Sequence, residues 1–178
     1  MAVVRKKTRP VGVQIAGTQL QENLHQRLAE AGLLVVPVNI LAVAEFLGLE
    51  VVEEPMDDDL SGYLEKRSGA WVVGVNSLHH RNRKRFTIAH EIAHFVLHSG
   101  EKESFHDQTF ARRNGSEGAS SMEREADRFA ADLLMPESDV RRLIASGVTT
   151  LSGLAEHFGV SALAMKYRVL NLGYQVNQ

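Results

Sequence analysis

Apolar residues are spread around a helical wheel in one stretch only. From Arg85 to His98 (RFTIAHEIAHFVLH), Phe86, Ile88, Ala89, Ile92, Ala93, Phe95, Val96 and Leu97 surround the polar positions, with no Gly or Pro between them. A helix that is apolar on most sides is a buried helix, and polar groups buried with it need a reason. Elsewhere the pattern is one-sided. Leu20, Leu24, Leu28 and Ala31 form a stripe that predicts a helix over Thr18 to Ala31, with Thr18 and Gln21 spaced as a capping box and Gly32 as its stop. Asn39 caps a predicted second helix, Ile40 to Leu47, ended by Gly48. Ala126, Phe129, Ala130, Leu133 and Leu134 make the core stripe of a helix over Glu123 to Leu134, which Pro136 ends.

The β-prone runs are short. Leu49 to Val52 reads as a strand, and Pro55 with Asp57, Asp58 and Asp59 as a solvated turn. Leu60 to Glu65 and Ala70 to Val75 flank Lys66-Arg67-Ser68-Gly69, which is turn chemistry, so a hairpin is expected. Val72 to Asn76 is the expected sheet edge, to which an extended substrate can add. Ser99 to Ser121 is polar with little periodicity and is expected to be a flap beside a cleft, anchored by Phe105 and Phe110. Helices over Glu137 to Ser146, Thr150 to Phe158 and Ala162 to Leu172 complete the chain, the last two joined by a Gly159-Val160-Ser161 turn in a helix-turn-helix-like arrangement. The fold expected is α+β: a mostly helical core with a small antiparallel sheet packed beside the Arg85–His98 helix, and a C-terminal helical subdomain. The expected division is a basic arm over 1–12, a core over 13–136 and the subdomain over 137–178.

Composition narrows the function classes. The 178 residues are 44% hydrophobic and 24% charged with a net charge of -2, which gives no electrostatic case for nucleic acid or membrane as the main partner. No apolar run approaches the ~20 residues of a membrane span. A cytoplasmic protein is expected. The absence of cysteine leaves histidine and carboxylate as the metal ligands. A DNA-reading second helix would be rich in basic and amide side chains. Here only Lys166 and Arg168 are basic, so direct DNA contact is not expected.

The buried helix carries His90-Glu91-Ile92-Ala93-His94, an HExxH pattern. Residues four apart share a helix face, so His90 and His94 can hold one zinc ion. Glu91 leaves the helix about 100° round from His90, placed to take a proton from a metal-bound water rather than to ligate. A third ligand should come from another helix. Glu125 borders the stripe of the Glu123–Leu134 helix, whereas Glu123 lies about 160° from Glu125 around the axis. The expected site is therefore His90, His94 and Glu125 around Zn2+, with Glu91 as base. Mn2+ would accept the same ligands. Asp127 either orients a ligand or pairs with an arginine such as Arg85. His98 extends the histidine row but stands ~12 Å along the axis from His90; it is read as closing the helix end. His106 and Asp107 are weaker ligand candidates on the flap. Tyr63, His157, Tyr167 and Arg168 are candidates for a second oxyanion donor.

RFTIAHEIAHFVLH, followed after a polar stretch by EREADRFAADLLMP, resembles the ImmA/IrrE family of zinc metallopeptidases. SGYLEKRSGAWVVGVN resembles that family's hairpin and LAEHFGVSALAMKYRVLNLG its ending, so the resemblance covers Ile40 to Gly173. It implies a gluzincin-like core and an endopeptidase that cleaves a DNA-binding repressor, in phage or mobile-element induction, stress response or a toxin–antitoxin-like pair. Some members carry an N-terminal helix-turn-helix domain, and the residues before Ile40 are too few for one, so targeting would come from the substrate or a partner. The rival reading is a metal-containing regulatory protein that docks on a repressor or DNA without cutting.

Overall fold

The computed structural model describes residues 3–6, 18–108 and 121–177. In chain order the elements are β1 Val3–Lys6, α1 Thr18–Glu30, α2 Ile40–Phe46, β2 Glu50–Glu54, β3 Leu60–Arg67, β4 Ala70–Asn76, α3 Arg81–His98, β5 Ser104–Gln108, α4 Ser121–Leu134, α5 Glu137–Ala145, α6 Leu151–Phe158, α7 Ala162–Asn171 and β6 Tyr174–Asn177. The architecture is α+β, with a small mixed sheet ordered β2-β4-β3-β5 and a two-stranded ribbon β1-β6. The side chains of Thr18 and Gln21, expected as a capping box, lie outside what is described, as do Phe110 and the rest of 109–120.

Contacts gather the chain into two units, Asn39–Ala130 and Met1–Val38 with Ala131–Gln178. The grouping sets α1 with the C-terminal helices, where the sequence suggested consecutive pieces. The expected arm also contains a strand, because Val3–Lys6 pairs antiparallel with Tyr174–Asn177.

In the Asn39–Ala130 unit the sheet departs from expectation twice. β2 runs parallel to β4, because β2 lies along the far side of β4 and does not pair with β3, its neighbour in sequence. Val72 to Asn76 is therefore an inner strand, and among the described residues β2 and β5 are the edges. The hairpin itself forms as expected. Ser68 (φ 51°) and Gly69 (φ 91°) are both left-handed, as a two-residue type I′ turn requires. Asn76 is buried and pins the loop after β2: its amide accepts from the Met56 and Leu78 N–H groups and donates to the Met56 and Leu60 carbonyls.

Helix α3 starts at Arg81, a turn before the apolar stretch. The His80 ring nitrogen accepts from the Asn82 N–H, and two cations of the first turns find partners: Arg83 donates to Ser61 Oγ and Lys84 lies 2.6 Å from Glu53. Those contacts offset the poor fit of positive charge to a helix N-terminus. Every residue from Thr87 to His94 is buried. The helix rests on the β3–β4 face that carries Gly62, Leu64, Val73 and Val75, where Gly62 opposes Val75 and Leu64 opposes Val73.

Gly62 sets how close that helix comes. A Cβ there would stand 2.5 Å from Thr87 Cγ2, 2.7 Å from the Gly74 carbonyl oxygen and 3.4 Å from Glu91 Oε1. One obstacle is backbone, so rotamer changes cannot relieve it. Gly62→Ala is expected to destabilise the protein by about 1–3 kcal/mol, the usual cost of overpacking. Urea unfolding checks this. A fall in midpoint at constant slope is expected, with Thr87→Ala recovering only part of the loss; an unchanged midpoint would refute the close approach.

Candidate metal centre

The row His90, His94, His98 follows the four-residue repeat along α3, and all three rings are buried. His90 Nε2 and His94 Nε2 stand 3.0 Å apart. Helix α4 brings a carboxylate to both, and it belongs to Glu123. Glu123 Oε2 is 3.2 Å from His90 Nε2 and Oε1 is 3.4 Å from His94 Nε2. Among the described residues these three form the group able to hold a metal ion. Glu125, the expected third ligand, points elsewhere. Its side chain is 61% exposed, against 25% for Glu123, and its Oε2 lies 3.3 Å from His98 Nε2.

The geometry suits a metal. Four ligands at ~2.0–2.1 Å around a tetrahedral ion stand about 3.3 Å from one another, close to the three separations above. The donors suit it too. Asp127 Oδ1 lies 2.9 Å from His90 Nδ1 at hydrogen-bonding distance, though the N–H does not point squarely at it. A carboxylate is an acceptor, so it favours the proton on Nδ1 and leaves the Nε2 lone pair facing His94 and Glu123. A buried meeting of lone pairs with a carboxylate is costly without a cation. Neutral imidazole and carboxylate are borderline-to-hard ligands of the kind Zn2+ accepts.

Asp127, read as either orienting a ligand or pairing with an arginine, lies beside a ligand-forming histidine. Glu91 is fully buried, on the side of α3 that faces Gly62 of β3. Phe105 of β5 stacks on His94, with ring centroids 4.6 Å apart and planes at 18°, so part of the expected flap is an ordered strand. Its neighbour His106 is exposed on the opposite face, 6.0 Å from the Tyr63 ring, and is turned away from the cluster. The side chain of Asp107 lies outside what is described.

The oxyanion candidates separate in the same way. Tyr63 lies on the sheet face opposite α3; it donates to Glu54 at 2.6 Å and accepts from Arg67 at 2.7 Å. Burial, and then the bond to Glu54, raise its phenol above the ordinary value. Arg168 is buried against Asp132 and donates to the Met135 carbonyl. His157 and Tyr167 are exposed residues of the unit that does not contain the cluster. Arg85 is half-buried, and burial together with Arg81 depresses its pKa.

The profile of the Peptidase_M78 family, the IrrE N-terminal-like domain, matches residues 44–170. The chain belongs to this family. Among solved structures, a Mycobacterium tuberculosis transcriptional regulator superposes with a TM-score of 0.58 at 18% identity, over 85% of this chain and 46% of that one. At that identity the likeness is one of fold, and the chain spans less than half the length of that regulator. No curated protein matches. Membership of Peptidase_M78 suggests a metallopeptidase-like or IrrE-like regulator, and the His90–His94–Glu123 group of this M78 domain can hold the metal such a protein needs.

Glu123→Gln is expected to weaken zinc binding more than about 100-fold, beyond the range seen for partners outside the ligand shell, while Glu125→Gln retains stoichiometric zinc. Chelator competition with purified protein measures both. The reverse order would return the ligand role to Glu125.

Proposed function

We propose that this protein is a zinc-dependent endopeptidase that hydrolyses a peptide bond in a DNA-binding regulatory protein and so relieves repression. The observation that carries the reading is a buried carboxylate, Glu91, one residue along from a cluster of three protein ligand atoms. Structural zinc sites close with four protein ligands, whereas catalytic ones keep three and leave a position for water. Three ligands among the described residues and an adjacent base fit the second kind.

In this reading His90 and His94 present their Nε2 atoms and Glu123 its carboxylate, and Asp127 keeps the His90 ring in register. The metal, when bound, lowers the pKa of its water towards ~7 and polarises the scissile carbonyl. Glu91 takes the proton from the attacking water and returns it to the leaving amine. The packing of α3 against β3 and β4 keeps bulk water from the base. An extended substrate would lie along β5, a sheet edge whose Phe105 already stacks on His94. Tyr63 and Arg168 are committed to other partners and take no part.

The surroundings support a protein substrate. On α7, Arg168 is buried and Lys166 alone of the two basic residues is exposed, so reading DNA through this helix is not part of the proposal. The reading takes the Asn39–Ala130 unit as zincin-like, and α6–α7 as a helix-turn-helix-like pair used for packing. It places the enzyme in the cytoplasm with its repressor, in a phage, mobile-element, stress or toxin–antitoxin setting. No described helix is long and apolar enough to cross a membrane.

Glu91→Gln tests this. The variant should hold zinc as the wild type does and lose peptide cleavage by a factor on the order of 100 to 10,000, the usual contribution of a general base. New protein N-termini, mapped in cells producing either form, should include sites within a DNA-binding regulator that arise only with Glu91. A regulatory effect that survives Glu91→Gln, with no Glu91-dependent terminus, would replace the peptidase reading with non-cleaving docking.

A further inference from the structure

The histidine row on α3 has one more member than a three-ligand site uses. His98 is buried, yet it stands outside the ligand group formed among the described residues, and Glu125 reaches it from α4. His98 Nδ1 is 3.1 Å from His94 Nδ1, and His98 Nε2 is 3.3 Å from Glu125 Oε2. The three groups form a line from a buried ligand ring to an exposed carboxylate.

We propose that His98 and Glu125 are positioning residues that orient His94 for metal, a role that rests on the metal reading of His90, His94 and Glu123. One assignment of protons satisfies every contact. A neutral histidine that offers Nε2 to a metal carries its proton on Nδ1. His94 Nδ1–H then donates to His98 Nδ1, so His98 carries its own proton on Nε2. That N–H donates to Glu125, whose carboxylate can only accept. The opposite tautomer of His98 would set two N–H groups against each other at the Nδ1 contact and leave Glu125 facing a lone pair. The carboxylate therefore selects the tautomer of His98, and His98 selects that of His94. Phe105, stacked on the other side of the His94 ring, holds its plane.

The two ligand histidines are thus served differently. His90 has a carboxylate directly at Nδ1, from Asp127 at 2.9 Å. His94 has one at the far end of an intervening imidazole. Spacing produces the difference: His98 follows His94 by one helical turn on the same face and occupies the place a carboxylate would otherwise take. Ligating histidines depend on such outer partners for ring orientation and basicity, and losing one typically costs 10–100-fold in metal affinity.

Zinc affinity by chelator competition, and the visible spectrum of the cobalt-substituted protein, read the relay without any substrate. His98→Phe is expected to weaken zinc binding about 10–100-fold and to shift the cobalt bands. His98→Asn puts an amide oxygen near the lost Nδ1 and should recover most of that affinity. Glu125→Ala, a change at an exposed side chain, is expected to cost several-fold. It should cost nothing more in the His98→Phe background, since partners in one line do not add. If His98→Phe fails to fold, Glu125→Ala and His98→Asn still decide the matter. A wild type that binds zinc stoichiometrically, with Glu125→Ala equal to it in affinity and spectrum, overturns the relay and leaves the metal centre standing. A Glu125 effect that persists undiminished without the His98 ring also overturns it. A wild type that binds no zinc removes the metal reading, and the relay with it.

Discussion

The constraint on which the structure depends is a row of ionisable side chains on a helix with no exposed side. His90, Glu91, His94 and His98 are all buried on α3, and a buried polar group left without a partner costs on the order of 1–3 kcal/mol. Retreat to solvent is closed to them, because Ile88, Ala89, Ile92 and Ala93 fill the remaining directions. Partners must come to the helix. Glu123, Glu125 and Asp127 come from one helix, α4, and reach His90 and His94, His98, and His90 respectively. The stripe of apolar residues on α4 sets its position, and its carboxylates answer the polar row on α3.

The sheet supplies the other boundary. Gly62 lets α3 sink far enough for Thr87 and Glu91 to meet the strand backbone. The type I′ turn at Ser68 and Gly69 holds β3 and β4 in the register that sets Gly62 beside Val75. Asn76 ties the end of β4 to the 56–60 loop. None of these residues is a metal ligand, yet each helps fix the depth at which the histidine row lies. A ligand atom displaced by about 1 Å leaves the narrow distance range a metal tolerates.

What the sequence made legible follows the range of the physics involved. Helix α3 and the hairpin rest on local signals, continuous apolarity in one case and turn chemistry in the other, and both formed as read. The direction of β2 was not legible, because nothing within Glu50–Glu54 records that it lies beside β4 and not β3. β5 was hidden in a polar stretch, since among its described side chains Phe105 is buried while Ser104 and His106 are exposed. That Glu123, and not Glu125, lies beside His90 and His94 was within reach of the sequence. Measured round the α4 wheel, Glu123 falls about 60° from the centre of the apolar stripe and Glu125 about 100°. Setting Glu125 at the border of the stripe, without measuring Glu123 from its centre, discarded that difference. For His98, helix geometry alone gives no sign that Glu125 would reach it.

The C-terminal helices show the opposite error that composition invites. Counted along the sequence, Arg168 is a cation on the second helix of a helix-turn-helix-like pair. In three dimensions it is 6% exposed, lies 2.6 Å from Asp132 and donates to the Met135 carbonyl just beyond α4. A buried arginine whose donors are engaged cannot neutralise phosphate, and phosphate neutralisation dominates affinity for DNA. Leu163, Tyr167 and Leu170 are exposed on α7, and of its two cations Lys166 alone is left to meet solvent. Arg168 therefore joins α7 to the residues just before and after the end of α4, and among the described residues the group able to hold a metal lies where the buried row on α3 meets the carboxylates of α4.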